Sequence, residues 1–347
     1  MTNDDSIYLL DLPPSQWRAA LAAAGVEPYR GDQMARWVFE RSVFDLADMT
    51  DLPRRLRQEL PGRLRTAPPT VDRRYTSVDA SRRYLLSIAG GGLVEAVYMP
   101  VGSRLTFCIS SQVGCRFACS FCQTGRLGLS RSLSPGEIVG QVLRLRAEAE
   151  TDRPRFNVVF MGQGEPLDDV DSVVDATLSL QDPRGLGMSW RRITVSTVGL
   201  VPGIERLATM GPARPRIAVS LNATTDEARS ELMPVNRKYP IAALLDALRR
   251  IPWRHREQVT FEYVMLRGVN DTRQDAERLV RLLRGLPAKV NLIPWNPIET
   301  MAFQRPSPGT IERFRRWARS GGLDVLVRYS RGADIGAACG QLSATGC

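Results

Sequence analysis

Three of the chain's six cysteines, Cys115, Cys119 and Cys122, fall in one short stretch, GCRFACSFCQTG (114–125). Thiolates at Cx3CxxC spacing are soft ligands suited to zinc or to iron–sulfur clusters. A structural zinc site takes four ligands, often including histidine. The single histidine, His255, lies far off in the basic stretch RRIPWRHRE and reads as a surface residue. A ferredoxin-type cluster also takes four cysteines. Three thiolates on a [4Fe–4S] cube leave one iron open to a substrate or cofactor; the plain alternative is three core or zinc-binding cysteines. The other thiols are scattered. Cys108 sits in an apolar run and reads as a small core residue. Cys339 lies in a tail of small residues, GADIGAACG, flexible enough to reach a site. Cys347, the last residue, reads as an unengaged thiol.

The elements around this loop alternate. Apolar strands are expected near 104–110, 156–162, 192–197, 215–221, 259–266, 289–293 and 323–328. Amphipathic helices are expected near 134–150, 169–181, 240–250, 272–284 and 309–320, the first opened by SPGE, a capping box with proline at the first helical position. Alternating β and α at this spacing argues a parallel α/β fold, open or closed into a barrel. Ligands in such folds gather at the C-terminal strand ends, where the cysteine loop lies. The next strand ends in FMGQGEP (160–166), whose Gly162 and Gly164 let the backbone approach a ligand and whose Glu165 accepts from an ammonium. Ser196, Ser220, Leu221, Asn222 and Asn296 follow at later strand ends; each polar one taken alone is an ordinary cap or turn former.

Ahead of this series, residues 14–66 read as helices at 15–25, with a serine cap, 31–42 and 51–62, rich in arginine. TAPPT (66–70) reads as a linker, and 82–100 as a hairpin turned at Gly90–Gly92. The expected division is a helical accessory domain at 1–81, a connecting hairpin at 82–100, a core at 101–334 and a tail at 335–347. Glu95 alternates with apolar neighbours in the hairpin and by itself reads as solvent-facing.

Apolar residues make up 43% of the 347, ample for a core. The N-terminus carries acids and prolines where a secretory signal needs a basic and then an apolar run, and no segment has the length of a membrane span. The chain therefore reads as cytosolic, which disfavours a disulfide scaffold. Net charge is +10, with lysine only at Lys238 and Lys289, so arginine supplies nearly all the basic charge. That balance fits a nucleic-acid partner, because cations that neutralise phosphates release counterions.

The cysteine spacing, with Phe121 before the third cysteine, resembles that of the radical S-adenosylmethionine (SAM) enzymes. FCISSQVGCRFACSFCQTG, GQGEPL, LMPVNRKYPI, VTFEYVML with GVND, VNLIPWNP and RGADIGAACGQL, in that order, together resemble the RlmN/Cfr family of RNA adenine methyltransferases. YRGDQMARWVFERSVFDLADMTDLPRRLR (29–57) is similar to the family's accessory domain. The resemblance implies a partial (β/α)6 radical SAM barrel. It implies one [4Fe–4S] cluster on Cys115, Cys119 and Cys122, and SAM held by Gly164, Glu165, Ser196, Ser220, Leu221, Asn222 and Asn296. Asn222 stands where many relatives carry histidine, and it keeps a donor and an acceptor. Two SAM molecules per turnover are implied: one methylates Cys339, the other yields a 5′-deoxyadenosyl radical that activates the S-methyl group. Cys108 would then release the product through a transient disulfide with Cys339, and Glu95 would accept the proton. The implied targets are C2 of adenosine 2503 in 23S rRNA and adenosine 37 of tRNAs, with C8 of the same rRNA base as the resistance-branch alternative. An external electron donor such as a flavodoxin and a monomeric state are implied as well. The rivals are a tRNA methylthiotransferase, which needs a second cluster on three more grouped cysteines, and a metal-stabilised RNA-binding module without enzymatic activity.

Overall fold

The computed structural model describes residues 6–89, 91–149 and 155–343. Gly90, residue 150 and Cys347 lie outside them. Ten strands form one sheet: β1 (Thr70–Thr76), β2 (Arg82–Ser87), β3 (Leu93–Val101), β4 (Arg104–Ile109), β5 (Asn157–Phe160), β6 (Ile193–Thr197), β7 (Arg216–Ser220), β8 (Val259–Met265), β9 (Ala288–Pro294) and β10 (Asp324–Val327). Spatial order follows chain order from β1 to β10. The pairs from β1 through β4 are antiparallel, and those from β4 through β10 are parallel. Parallel strands joined in one direction by helical crossovers curl around a common axis, giving an open partial barrel. This is the expected α/β fold, extended at one edge by three antiparallel strands.

Helices α1 (Trp17–Ala23), α2 (Arg30–Ala35) and α3 (Arg54–Glu59) precede the sheet. Helices α4 (Pro135–Glu148), α5 (Val170–Gln181), α6 (Val201–Ala208), α7 (Asp226–Leu232), α8 (Ile241–Arg249), α9 (Arg273–Leu283) and α10 (Pro308–Ser320) cover its outer face. Serine or threonine caps start α4, α9 and α10. Ser134 and Glu137 cap α4 reciprocally, Thr272 and Asp275 do the same for α9, and Ser307 caps α10. Sequence patterning overlooked α6 and α7, each of two turns or so, too short for the periodicity to stand out. Among the described residues no helix is long and apolar enough to cross a membrane.

Three expectations about the N-terminal region need correcting. Ser15 does not cap α1: a 3-10 turn over Pro14–Gln16 leads into the helix, and the Ser15 amide donates instead to Asp182 at 2.8 Å. Residues 66–70 are not a loose linker. Pro68 and Pro69 are buried, Thr66 Oγ1 donates to the Phe44 carbonyl at 2.6 Å, and a Cβ on Gly140 of α4 would come within 2.6 Å of Pro69 Cδ. Finally, Thr70–Thr76 is a strand of the main sheet. The N-terminal helices share one continuous apolar core with the barrel.

Among the described residues no backbone pairing joins β1 to β10. The gap is bridged by side chains. Asp334 accepts from Ser77 Oγ at 2.6 Å and from the Val78 amide at 3.1 Å. Asp79 accepts from the Gly332 amide at 3.0 Å, and Arg331 donates to the Asp79 carbonyl at 2.7 Å.

Candidate active site

Beyond β4 the chain turns through Ser110 and Ser111 into a small hairpin, Gln112–Cys115 with Gly128–Ser132, that brackets the cysteine loop. The loop after β5 lies directly on it. Ser111 and Gln112 amides donate to the Gln163 carbonyl, and Gly162 N–H donates to the Ile109 carbonyl at 3.0 Å. The two glycines serve this chain-to-chain contact: a Cβ on Gly162 would sit 2.7 Å from the Ile109 oxygen, and one on Gly164, at φ +95°, 2.5 Å from Gln112 Cβ.

Two cavities meet here. An inner one of about 150 Å³ is lined by Cys122, Gly164, Glu165, Ser196, Ser220, Asn222, Asn296 and Cys339, and also by Met161, Glu262 and Ile293. An outer one of about 570 Å³ is lined by Cys108, Cys339, Arg104, Arg328 and Tyr329, and again by Met161 and Ile293. Met161, Ile293 and Cys339 are thus the wall common to both. Of the expected cofactor residues, only the Leu221 side chain stands apart; it is fully buried and its amide bonds the Glu262 carbonyl at 3.0 Å.

The thiols are held in a low-dielectric setting. Burial pushes Cys115 up to about 12, aided by repulsion from Cys122 and Glu165, and raises Cys119 and Cys122 too. Cys122 and Cys115 add to the rise that burial causes at Cys119. Among the described residues, no group of three histidine, cysteine or acidic side chains is arranged to hold a metal ion. Burial also pushes Cys108 up to about 12, with Cys339 as its next largest influence. Burial works to lower the Arg328 pKa, and Cys339, Glu262 and Cys108 beside it outweigh that and raise it.

Glu165 is buried, which pushes it up to about 7 against hydrogen bonds from Thr197, Val198 and Leu167. Val198 N–H donates to Oε2 at 2.7 Å and Leu167 N–H to Oε1 at 3.0 Å, which leaves lone pairs on both oxygens. Asn222 adopts the left-handed region at φ 59°, accepts from the Val264 amide at 2.8 Å and points its amide at Met233 sulfur, 3.2 Å away.

Glu95 contradicts its solvent-facing reading. It is 1% exposed and ion-paired with Arg83 at 2.7 Å. Its Oε2 accepts from the Ser343 amide at 2.8 Å. The tail is likewise more anchored than its composition implies. Gln123 N–H donates to Gly340 O at 2.7 Å, Thr124 Oγ1 to Leu342 O at 2.7 Å, and Asn296 Nδ2 to Cys339 O at 3.0 Å.

Sequence reasoning missed two residues. Glu262 lines the inner cavity with Oε2 buried and lacking a partner; its signal was a lone acid inside the apolar strand VTFEYVM. Arg229 is fully buried and binds the carbonyls of Val198 at 2.6 Å, Ser220 at 3.1 Å and Leu221 at 3.1 Å. It staples the ends of β6 and β7. An arginine in the helical stretch DEARSEL gives no hint of that.

An open parallel barrel with three thiols in the loop after its first parallel strand defines a radical SAM enzyme, and the radical SAM superfamily model matches residues 109–283. The model for the ribosomal RNA large subunit methyltransferase N-terminal domain matches residues 7–65. The chain is 46% identical to the dual-specificity RNA methyltransferase RlmN of Anaeromyxobacter dehalogenans, over 99% of this chain and 94% of the relative. It is 47% identical to that of Geobacter sulfurreducens, over 98% and 92%. A crystal structure of a radical SAM methyltransferase from Sphaerobacter thermophilus superposes with a TM-score of 0.93 at 44% identity, covering 98% of this chain and all of that one. The chain belongs to the RlmN family of radical SAM RNA methyltransferases. Enzymes of this class work with SAM and a [4Fe–4S] cluster.

Proposed function

We propose that this enzyme methylates C2 of adenosine 2503 in 23S rRNA and of adenosine 37 in tRNAs, with Cys339 as methyl carrier. One observation carries the reading: Cys339 borders both the inner cavity, with the expected cofactor residues, and the larger outer one. Adenine C2 is an electron-poor sp² carbon and cannot attack a methyl sulfonium as an amine would. A sulfur that faces both chambers gives the one-carbon unit a route between them.

The residues fit the cofactors. Cys115, Cys119 and Cys122 would hold the cluster, which supplies the electron that splits SAM into a 5′-deoxyadenosyl radical. Glu165 and the unpartnered Glu262 oxygen suit the cationic ammonium and sulfonium, while Ser196, Ser220 and Asn222 line the same wall. The inner cavity is tighter than the usual 300–1,000 Å³ pocket, about half its lower bound, so binding must widen it. Two SAM molecules serve each turnover, one for the carrier and one for the radical.

Cys339 accepts a methyl group on sulfur; burial raises its pKa, and Arg328 beside it works against that rise. Cys108 faces the same outer chamber and releases the product by attacking the carrier sulfur. Glu95, whose Oε2 accepts from the Ser343 amide of the tail, receives the proton lost from the ring carbon.

The base leaves its stack to enter the outer chamber. Residues 1–81 act as an RNA-holding accessory unit on a core at 101–334, with 335–347 as the carrier tail. Many of its arginines are fixed: Arg41 stacks on Trp37 and Arg65 on Tyr8, and Arg63 bonds the Ala24 carbonyl. Fixed guanidinium groups position phosphates without reading sequence. The enzyme works as a cytoplasmic monomer fed by a protein electron donor such as a flavodoxin.

The test is anaerobic reaction with 23S rRNA fragments and tRNA, followed by mass spectrometry of the nucleosides. The reading expects 2-methyladenosine from the wild type and none from Cys339→Ala. An 8-methyl product, a thiomethyl product, or full activity of the variant would each overturn it.

A further inference from the structure

Strand register divides the wall of the outer chamber into tiers. Cys108 of β4 stands level with Val159 of β5, and Thr106 stands level with Asn157. On the other side, Met99 of β3 is level with Thr106, and Val101 with Arg104. All of these residues line the chamber. Its deep end is at Cys108, 7% exposed, and its mouth is at Val101 and Tyr329, 49% and 61% exposed. Asn157 lies between, about 6.6 Å from the Cys108 tier at a strand rise of ~3.3 Å per residue.

Asn157 is a half-buried amide in a wall whose neighbouring side chains, Met99, Val101, Val159 and Met161, are apolar. Among the described residues its carboxamide takes part in no hydrogen bond. It therefore offers two donors and an acceptor to whatever enters the chamber.

For C2 of adenine to meet the Cys339 sulfur, the base must enter with its six-membered ring leading and its ribose at the mouth. N7 and the N6 amino group then lie one tier back from the thiols. An asparagine amide matches that edge: Oδ1 accepts from the N6 amino group while Nδ2 donates to N7. Guanine carries an oxygen acceptor at position 6 and would set it against Oδ1. We propose that Asn157 reads the N6/N7 edge of the entering adenine, selecting adenine and turning C2 rather than C8 toward Cys339. C8 is bonded to N7, so the same grip holds C8 back at the middle tier. The proposal rests on the carrier reading of Cys339 and on C2 as the target carbon.

The experiment uses full-length protein reconstituted with its cluster, in three forms: wild type, Asn157→Ala and Asn157→Asp. The aspartate keeps an acceptor for N6 but has no donor for N7. The substrate is an anticodon stem-loop RNA with either adenine or 7-deazaadenine at the target position. Peptide mass spectrometry of Cys339 before RNA is added normalises each rate to loaded carrier. Wild type is expected to lose about tenfold in kcat/KM on 7-deazaadenine. Each variant is expected to lose about tenfold on adenine and nothing further on 7-deazaadenine. Indifference of the wild type to 7-deazaadenine, or an equal penalty in wild type and both variants, would overturn the proposal. A wild type that never loads Cys339, or that yields 8-methyladenosine, would instead sink the reading it rests on.

Discussion

The backbone N–H of Ser343 donates to Glu95 Oε2 at 2.8 Å, while Arg83 Nη1 holds Oε1 at 2.7 Å. The end of the tail and a carboxylate on β3 are thereby tied together.

The same pair governs stability. Both partners are almost completely buried. Arg83→Met leaves a buried carboxylate without its counter-ion and is expected to cost about 3–5 kcal/mol. The double variant Arg83→Met/Glu95→Leu is expected to recover most of that, since no lone charge remains. Denaturant unfolding of the two variants checks it; equal losses in both would show that the ion pair is not the source.

Removal of the second thiol of the outer chamber should trap the reaction. Without Cys108 nothing there can attack the carrier sulfur, so RNA is expected to stay joined to Cys339 in the Cys108→Ala variant. A band of RNA and protein that survives denaturing electrophoresis, and vanishes in Cys108→Ala/Cys339→Ala, is the predicted result.

Arg229 places the strand ends that wall the inner cavity. Its charge is costly in that setting: burial lowers its pKa to about 10. Arg229→Lys keeps a cation but cannot span the carbonyls of Val198, Ser220 and Leu221 together. Both Lys and Met variants are expected to lose about 3 kcal/mol or more and to weaken SAM binding. Calorimetric binding paired with thermal melts would show the two effects moving together.

Acid should loosen the tail. Burial works to raise the Asp79 pKa, but hydrogen bonds from Ser81, Gly332 and Ser77 outweigh it and hold it at about 2. A carboxylate depressed in the folded state contributes stability that is whole above its ordinary value of 3.8 and disappears as pH falls through about 2. Asp79→Asn is therefore expected to be less stable than wild type at neutral pH, with the difference shrinking between roughly pH 4 and pH 2. A pH series of unfolding midpoints tests the sign.

Much of this was legible in the residues themselves. Period and caps marked the parallel strands and the long helices, and the three cysteines with GQGEP marked one rim of the sheet. Less was legible where tertiary partners decide. Glu95 reads as exposed because alternation counts faces and cannot see that β2 and the tail cover this one. Residues 66–70 read as a linker because two prolines break regular structure, whether or not a helix with a glycine lies against them. Arg229 and Arg83 look like surface cations until their carbonyl and carboxylate partners, distant in sequence, are known.

Asp334 and Asp79 clasp the two free edges of the sheet, five residues before Cys339 in the case of Asp334. The last stretch of chain is thus a fastener as well as an arm. A shortened protein ending ahead of Asp334 would spring that hoop along with losing its sulfur, and its inactivity would report two injuries at once. Only exchange of single atoms at position 339 separates the chemistry from the architecture.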